Sequence, residues 1–189
     1  GGVYQQTYQH GKALTGVEKT GKSDKTGTKI NFLPDYEIFK DQEYDFNIVD
    51  QRLRELAYLN SGISISLICE KTEQKSTHYY EGGLAEFVKY LNKDNTPLFE
   101  NPVHIKGEKD SVPVDLSLSY NETYSSNVLT FVNNINTIEG GTHLAGFRTA
   151  LTRSLNQYAN KNNLIKTKKN ENISLSGDDV REGITAVLS

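Results

Sequence analysis

The residues able to carry chemistry in this sequence are few, and most stand alone. Histidine occurs at His10, His78, His104 and His143, and cysteine only at Cys69. None lies at metal-ligand spacing from another. No phosphate-cradling GxxxxGK[ST], no GxSxG elbow and no HExxH zinc motif occurs. The sequence thus offers no catalytic residue and no metal site. His143 comes nearest, because it follows the Gly140-Gly141 pair, yet no serine or cysteine nucleophile is assignable beside it. Asp178 and Asp179 are adjacent carboxylates, but neighbours in sequence point apart, and the acidic start of a short helix suits them better. Two polar groups remain; spacing alone reads the first as a hairpin turn and the second as a solvated loop. Thr26-Gly27-Thr28 sets hydroxyls around a glycine, where backbone can approach a ligand closely. Lys161, Lys166, Lys168 and Lys169 crowd residues 160–172 against the single acid Glu171, a low-complexity, locally basic tract.

The elements that position these groups follow from periodicity. From Thr142, Leu144, Phe147, Leu151, Leu155 and Tyr158 recur at three- and four-residue steps, with Arg148, Arg153, Asn156 and Gln157 between them. This predicts a long helix capped by the Thr142 hydroxyl. The polar run 133–141 ahead of it ends in Gly-Gly and predicts a turn with exposed backbone. The free N–H groups of such a helix start can meet an anion or a partner backbone.

The rest of the chain is read the same way. Residues 3–9 alternate and predict a strand; 11–24 predict a loop with weak strand content around Val17. The Thr26–Thr28 turn feeds a predicted strand over 29–33, ended by Pro34-Asp35. Residues 45–60 predict a helix with Val49, Leu53, Leu56 and Leu59 or Asn60 on one face, and with Arg52 and Arg54 as solvated charges. A hairpin follows over 63–70 and 76–80, with Ile63, Ile65, Leu67 and Cys69 inward. A second helix starts at Gly82-Gly83 and sets Leu84, Phe87, Val88 and Leu91 on one face; that glycine pair is the expected domain boundary. Strands are predicted over 103–107, 112–120 and 127–134, with Val114, Leu116, Leu118 and Tyr120 facing a core that the long helix covers. A short helix from Gly177 and a closing strand over 183–188 complete an α+β chain.

Composition sets the outer limits. A chain of 189 residues holds one large or two small domains. A net charge of −3 leaves no global basic footprint, so any nucleic-acid contact must be local. A single cysteine excludes an internal disulfide and suits a reducing, cytoplasmic setting. No apolar run has transmembrane length and no signal peptide is visible. Methionine is absent even at position 1, which suggests an internal piece of a longer protein.

NNINT followed by EGGTHLAGF resembles the transducer of the bacterial DNA gyrase B subunit. KTGTKINFLPD from Lys25, RLRELAYLNSGISI from Arg52, YEGGLAEFVKYLN from Tyr80 and SGDDVREGITAVLS from Ser176 extend the likeness over essentially the whole chain in one register. The resemblance implies the end of a GHKL (Bergerat) α/β sandwich over residues 1–82, then a transducer similar to the ribosomal protein S5 domain 2-like fold over 83–189, truncated at its C-terminal end. It implies that Thr28, with Gly27 beside it, belongs to the adenine pocket. It makes Gly140, Gly141, Thr142 and His143 a coupling element, not a general base. The four lysines would contact DNA in the cavity between paired transducers, and Arg148 and Arg153 would extend that surface.

For the intact protein the family implies ATP and Mg2+, DNA, the gyrase A subunit in an A2B2 assembly, and ATP-dependent dimerisation of the B subunit. The Glu/Asn motif that activates water and holds magnesium, the adenine-reading aspartate and the glycine-rich lid would precede this stretch; the QTK lysine would follow it. The stretch alone is therefore expected to be inactive. Three rivals stand beside this reading. The topoisomerase IV B subunit is opposed by RELAYLNSG and the GGTHLAGF run. A mismatch-repair or chaperone ATPase is opposed by TGTKINFLPD. The third is a stand-alone interaction module that docks through GGTHL.

Overall fold

The computed structural model describes residues 1–40, 43–165 and 174–189. They form two compact units, Gly1–Asp45 and Phe46–Ser189. The Gly82-Gly83 boundary expected from sequence lies inside the second unit.

The first unit holds β1 (Gly2–Gln5), β2 (Tyr8–Gln9), β3 (Lys12–Ala13) and β4 (Glu18–Lys22). The outer strands β1 and β4 pair antiparallel with a bulge at Val3/Tyr4, and β2 pairs with β3 between them. His10 and Gly11 turn the inner hairpin with φ of 49° and 74°, the mirror-image turn that matches strand twist. The stretch read as a loop around Val17 is therefore partly strand. The strand expected over 29–33 does not form: these residues are irregular, and Ile30, Phe32 and Leu33 are 81%, 71% and 76% exposed. An alternating pattern is not sufficient for a strand. Its N–H and C=O groups need a ladder partner, and none of the described strands supplies one.

The second unit runs α1 (Phe46–Leu59), β5 (Ile65–Cys69), β6 (Gln74–His78), α2 (Gly83–Leu91), β7 (Val103–Lys109), β8 (Val112–Tyr120), β9 (Asn127–Val132), β10 (Ile135–Asn136), α3 (Thr142–Lys161), α4 (Gly177–Arg181) and β11 (Ile184–Leu188). Strands β5 and β6 form a separate hairpin, turned by Glu73 at a φ of 55°. The other five make one sheet in the order β10-β9-β11-β8-β7. The closing strand thus sits in the middle, antiparallel to β8 and parallel to β9.

The middle of the sheet is buried on both faces, where sequence predicted one; β7 is exposed along its length, and Val114, expected to face the core, is exposed at the uncovered end of β8. Leu118, Ile184, Ala186 and Leu188 pack against Phe147 of α3. Phe131 and Val187 point the other way and join Leu84, Phe87 and Val88 of α2 and Tyr58 of α1. The near-continuous apolar run ITAVL carries the reason, because a strand covered on both sides loses its alternation. On the α2 face, Thr185 Oγ1 and Asn121 Nδ2 both donate to Asn92 Oδ1, at 2.7 and 2.9 Å, tying β11 and β8 to the end of α2.

Three smaller differences have local causes. α3 begins after Gly141 and has no side-chain cap, so Thr142 is its first residue and not its cap. Tyr158 is 60% exposed and Ala159 takes the inward place, because a straight helix drifts off a fixed stripe over five turns. α4 is capped by Ser176: its Oγ accepts from the Asp179 N–H while the Asp179 carboxylate accepts from the Ser176 N–H. The carboxyl of Asp179 is held below its ordinary value first by the Ser176 hydroxyl, as the helix-start role requires.

Gly183, between α4 and β11, has a φ of +71°, and a Cβ there would lie 2.5 Å from the Asn121 carbonyl oxygen and 2.8 Å from that of Thr123. Gly183→Ala is expected to cost about 3 kcal/mol from left-handed strain plus overpacking, read as a lower urea midpoint. An unchanged midpoint would show that the β8–β11 junction yields without strain.

Candidate functional site

Besides the Asn92–Asn121–Thr185 network, a second polar cluster in the second unit is buried around Asp50 and His78. Asp50 on α1 accepts from the Ser76 hydroxyl and from His78 Nε2, the latter at 2.7 Å, both at Oδ1. Its Oδ2 accepts from Arg54 Nη2 at 2.8 Å. Arg54 Nη1 then donates to Tyr90 Oη at 2.5 Å, and His78 Nδ1 meets Tyr80 Oη at 3.3 Å. Local geometry supplies each half. Asp50 and Arg54 are four residues apart on one helix face. Ser76 and His78 are two apart on one strand face. Arg54 is therefore half-buried and paired, not the solvated charge that spacing suggested.

The cluster contains serine, histidine and aspartate but no nucleophile relay. Ser76 Oγ and His78 Nε2 both bond the same carboxylate oxygen, and His78 Nδ1 meets Tyr80, so the histidine is not placed to take the serine's proton. What the arrangement does is fasten α1 to β6 and, through Tyr90, to α2. Tyr58 completes the join by stacking on Tyr80 at 3.6 Å and on Phe87 at 4.8 Å between ring centroids. The Ser76 hydroxyl holds the Asp50 carboxyl below its ordinary value; burial opposes this, and His78 and Arg54 add to the lowering. Sequence reading missed the cluster because Asp50 and His78 are far apart in the chain and ordinary one at a time. Only the Asp50–Arg54 spacing was a visible signal.

The segment read as a coupling element is a compact corner. Asn133 and Asn134 turn β9 into β10 with φ of 50° and 65°. The Thr137 N–H donates to the Thr130 carbonyl at 2.8 Å, and its hydroxyl meets Thr130 Oγ1 at 2.6 Å and His143 Nε2 at 3.1 Å. Gly140 has a φ of +81°, and a Cβ on Gly141 would lie 2.8 Å from the His143 ring. The two glycines let the chain enter α3 with His143 folded back on Thr137. Thr142 is exposed beside them.

The other sequence candidates lie apart. Gly27 and Thr28 are in an exposed irregular segment of the first unit, and a Cβ on Gly27 would meet nothing within 4 Å. Arg148, Arg153 and Lys161 are exposed on α3. Lys166, Lys168 and Lys169 lie outside the described residues. Among the described residues no group of three or more His, Cys, Asp or Glu could hold a metal ion, and no helix is long and apolar enough to cross a membrane.

Fold and site together define an α+β chain whose described residues include a helix-flanked mixed sheet and a long helix entered through a Gly-Gly turn. DNA gyrase B is the family whose sequence model matches residues 83–189, more than half of the chain. The chain belongs to the DNA gyrase B family. The DNA gyrase B subunit of Clostridium acetobutylicum is 51% identical over 190 residues, taking in all of this chain and 29% of that relative. The crystal structure of the 43K ATPase domain of Thermus thermophilus gyrase B in complex with an aminocoumarin matches with a TM-score of 0.81 at 34% identity, over 98% of this chain and 50% of that one. The topoisomerase IV ATP-binding domain of Francisella tularensis, in complex with a small-molecule inhibitor, shares the fold with a TM-score of 0.73 at 22% identity, over all of this chain and 50% of that one. The chain thus spans less than a third of the Clostridium relative and half of each solved chain.

The pH dependence of Asp50 follows from its lowered value. A group with a depressed native pKa stabilises the fold above its unfolded value, and that stability is lost as pH falls through the native one. Asp50→Asn should therefore cost about 3 kcal/mol at neutral pH, because it leaves Arg54 half-buried and uncompensated. It should also flatten the loss of stability below about pH 4. Urea unfolding of both proteins from neutral to acid pH reads this; parallel acid limbs would remove Asp50 from the account.

Proposed function

We propose that the intact polypeptide is the ATP-hydrolysing subunit of a DNA gyrase, coupling ATP binding and hydrolysis to strand passage and negative supercoiling. The observation that carries this reading is 51% identity across the whole chain to the Clostridium DNA gyrase B subunit. The topoisomerase IV structure speaks for fold alone at 22% identity, so decatenation is the weaker reading. In this proposal residues 1–82 close the ATPase domain and 83–189 belong to the transducer. The partners are DNA, the gyrase A subunit in an A2B2 assembly, and a second copy of the B subunit that joins on ATP binding. The setting is cytoplasmic.

ATP is the substrate of the intact subunit, with Mg2+ as its metal. Among the described residues no group of three or more His, Cys, Asp or Glu could hold a metal ion, and the groups expected to hold magnesium lie in the family's motifs outside this stretch. No hydrolytic step is assigned to the described residues, and the 189-residue stretch alone is expected to show no turnover. Its part in the reaction is to help hold adenine at Thr28, next to Gly27, and to carry the nucleotide state through Gly140, Gly141, Thr142 and His143 into α3.

Thr28→Val in the intact subunit keeps the size and removes the hydroxyl. If adenine buries and hydrogen-bonds that hydroxyl in the intact subunit, ATP affinity is expected to fall by about 1–3 kcal/mol while the fold survives. Calorimetry giving the wild-type affinity would return Thr28 to a turn residue.

Lys161, Lys166, Lys168 and Lys169, with Arg148 and Arg153 on the preceding helix, make the proposed phosphate-contacting surface. Changing all four lysines to glutamine should weaken DNA-stimulated ATPase, more at low salt than at high, and lower the salt slope by roughly one per lost contact. ATPase without DNA should not change. If stimulation and its salt dependence match wild type, the tract is a linker.

A further inference from the structure

α1 also holds the β9–β10 turn of the five-stranded sheet, at a place separate from the Asp50 contacts to the β5–β6 hairpin. Arg52 Nη2 donates to the Asn134 carbonyl at 2.5 Å, and its Nη1 is steadied by Glu55 Oε2 at 2.7 Å. Asn134 Nδ2 donates to Asn60 Oδ1 at 3.1 Å, and Asn60 is in turn fixed by its own Nδ2 on the Leu56 carbonyl at 2.8 Å. One turn residue is thus held at its backbone from the middle of α1 and at its side chain from the end of that helix. All three residues are half-buried.

The position of that residue gives the grip its meaning. Asn134 completes the left-handed turn between β9 and β10, whose register Ile135–Val132 and Asn136–Phe131 leads directly to Thr137. Thr137 holds His143, in the first turn of α3. A shift of α1 against the sheet must therefore either break the grip or drag the turn and the entry to α3 with it. The hairpin has its own backbone pairs, so loosening the grip need not unfold it.

We propose that Arg52 and Asn60 are positioning residues forming a clasp on Asn134, through which movement of α1 is passed to the Thr137–His143 corner and α3. The proposal rests on the reading of the intact protein as a gyrase B subunit, with α1 on the ATPase side and α3 in the transducer. The clasp residues are none of those proposed to contact adenine or DNA. Its loss should separate two quantities that a simple loss of fold would lower together.

The test uses the full-length protein reconstituted with its gyrase A partner, measuring ATP turnover and supercoils introduced per ATP. Arg52→Gln and Asn60→Ala should each keep turnover within about twofold of wild type and lower supercoils per ATP about fivefold or more. The double variant should fall little further than the worse single, because both act through Asn134. Arg52→Lys, which still offers a donor to the Asn134 carbonyl, should recover part of the loss. Tyr120→Phe removes the 2.7 Å bond to the Val180 carbonyl on the far side of the sheet and serves as a control for destabilisation; its coupling ratio should match wild type. An unchanged ratio in both clasp variants overturns the clasp. So does an equal fall in the Tyr120→Phe control. A wild-type protein that shows no ATP-driven supercoiling overturns the underlying reading and the clasp with it.

Discussion

The structure of the second unit depends on burying β11. Every residue from Ile184 to Leu188 is inaccessible or nearly so, and the strand is paired on both sides. Ile184, Ala186 and Leu188 enter the core under α3, and Val187 enters the one under α2. Fully burying each of the larger side chains is worth about 1.5–3 kcal/mol. The parallel pairing with β9 and the antiparallel pairing with β8 require the chain to return through α3 and α4 before the strand can insert. The sheet is therefore closed by a strand that lies far along the chain from its neighbours. The two helix layers are held apart at a fixed spacing by a strand that belongs to neither.

Much of this was legible because local pattern and final environment agree. The alternation of β8 matched the strand bounds, and three- and four-residue spacing found α1, α2 and α3. What failed was what depends on distant partners. The central place of β11 is a matter of strand order, which no local period encodes. β10 is two residues long and is defined by the Asn133-Asn134 turn before it. Residues 29–33 carry a strand pattern with no partner strand among the described residues. At the candidate site, the glycine-hinged entry to α3 was readable from Gly140-Gly141, while the Asp50 cluster was not. A buried carboxylate is recognised by what surrounds it, and its surroundings come from a hairpin more than twenty residues away.

Asp50 also illustrates a balance that area alone would misjudge. Removing a carboxylate from water is costly, and a buried ion pair is weak evidence of net stabilisation. Here the cost is offset by three donors sharing two oxygens, so neither oxygen is left without a partner. What the cluster adds is specificity. An apolar contact would let α1 slide along the β5–β6 hairpin, whereas two directional bonds, from Ser76 and His78, allow one register.

The two grips of α1 act on different bodies. Asp50 and Arg54 fix it to the hairpin and to α2, with little room for change because the groups are enclosed. Arg52 and Asn60 fix it to the β9–β10 turn at a half-buried edge, where water can replace a lost bond at modest cost. If α1 moves relative to the sheet, the enclosed grip stays with the helix and the edge grip is the one that strains. The turn it holds has both central residues at positive φ, a conformation asparagine adopts more readily than most residues. Two hydrogen bonds from the helix side, one to its backbone and one to its side chain, tie that turn to α1.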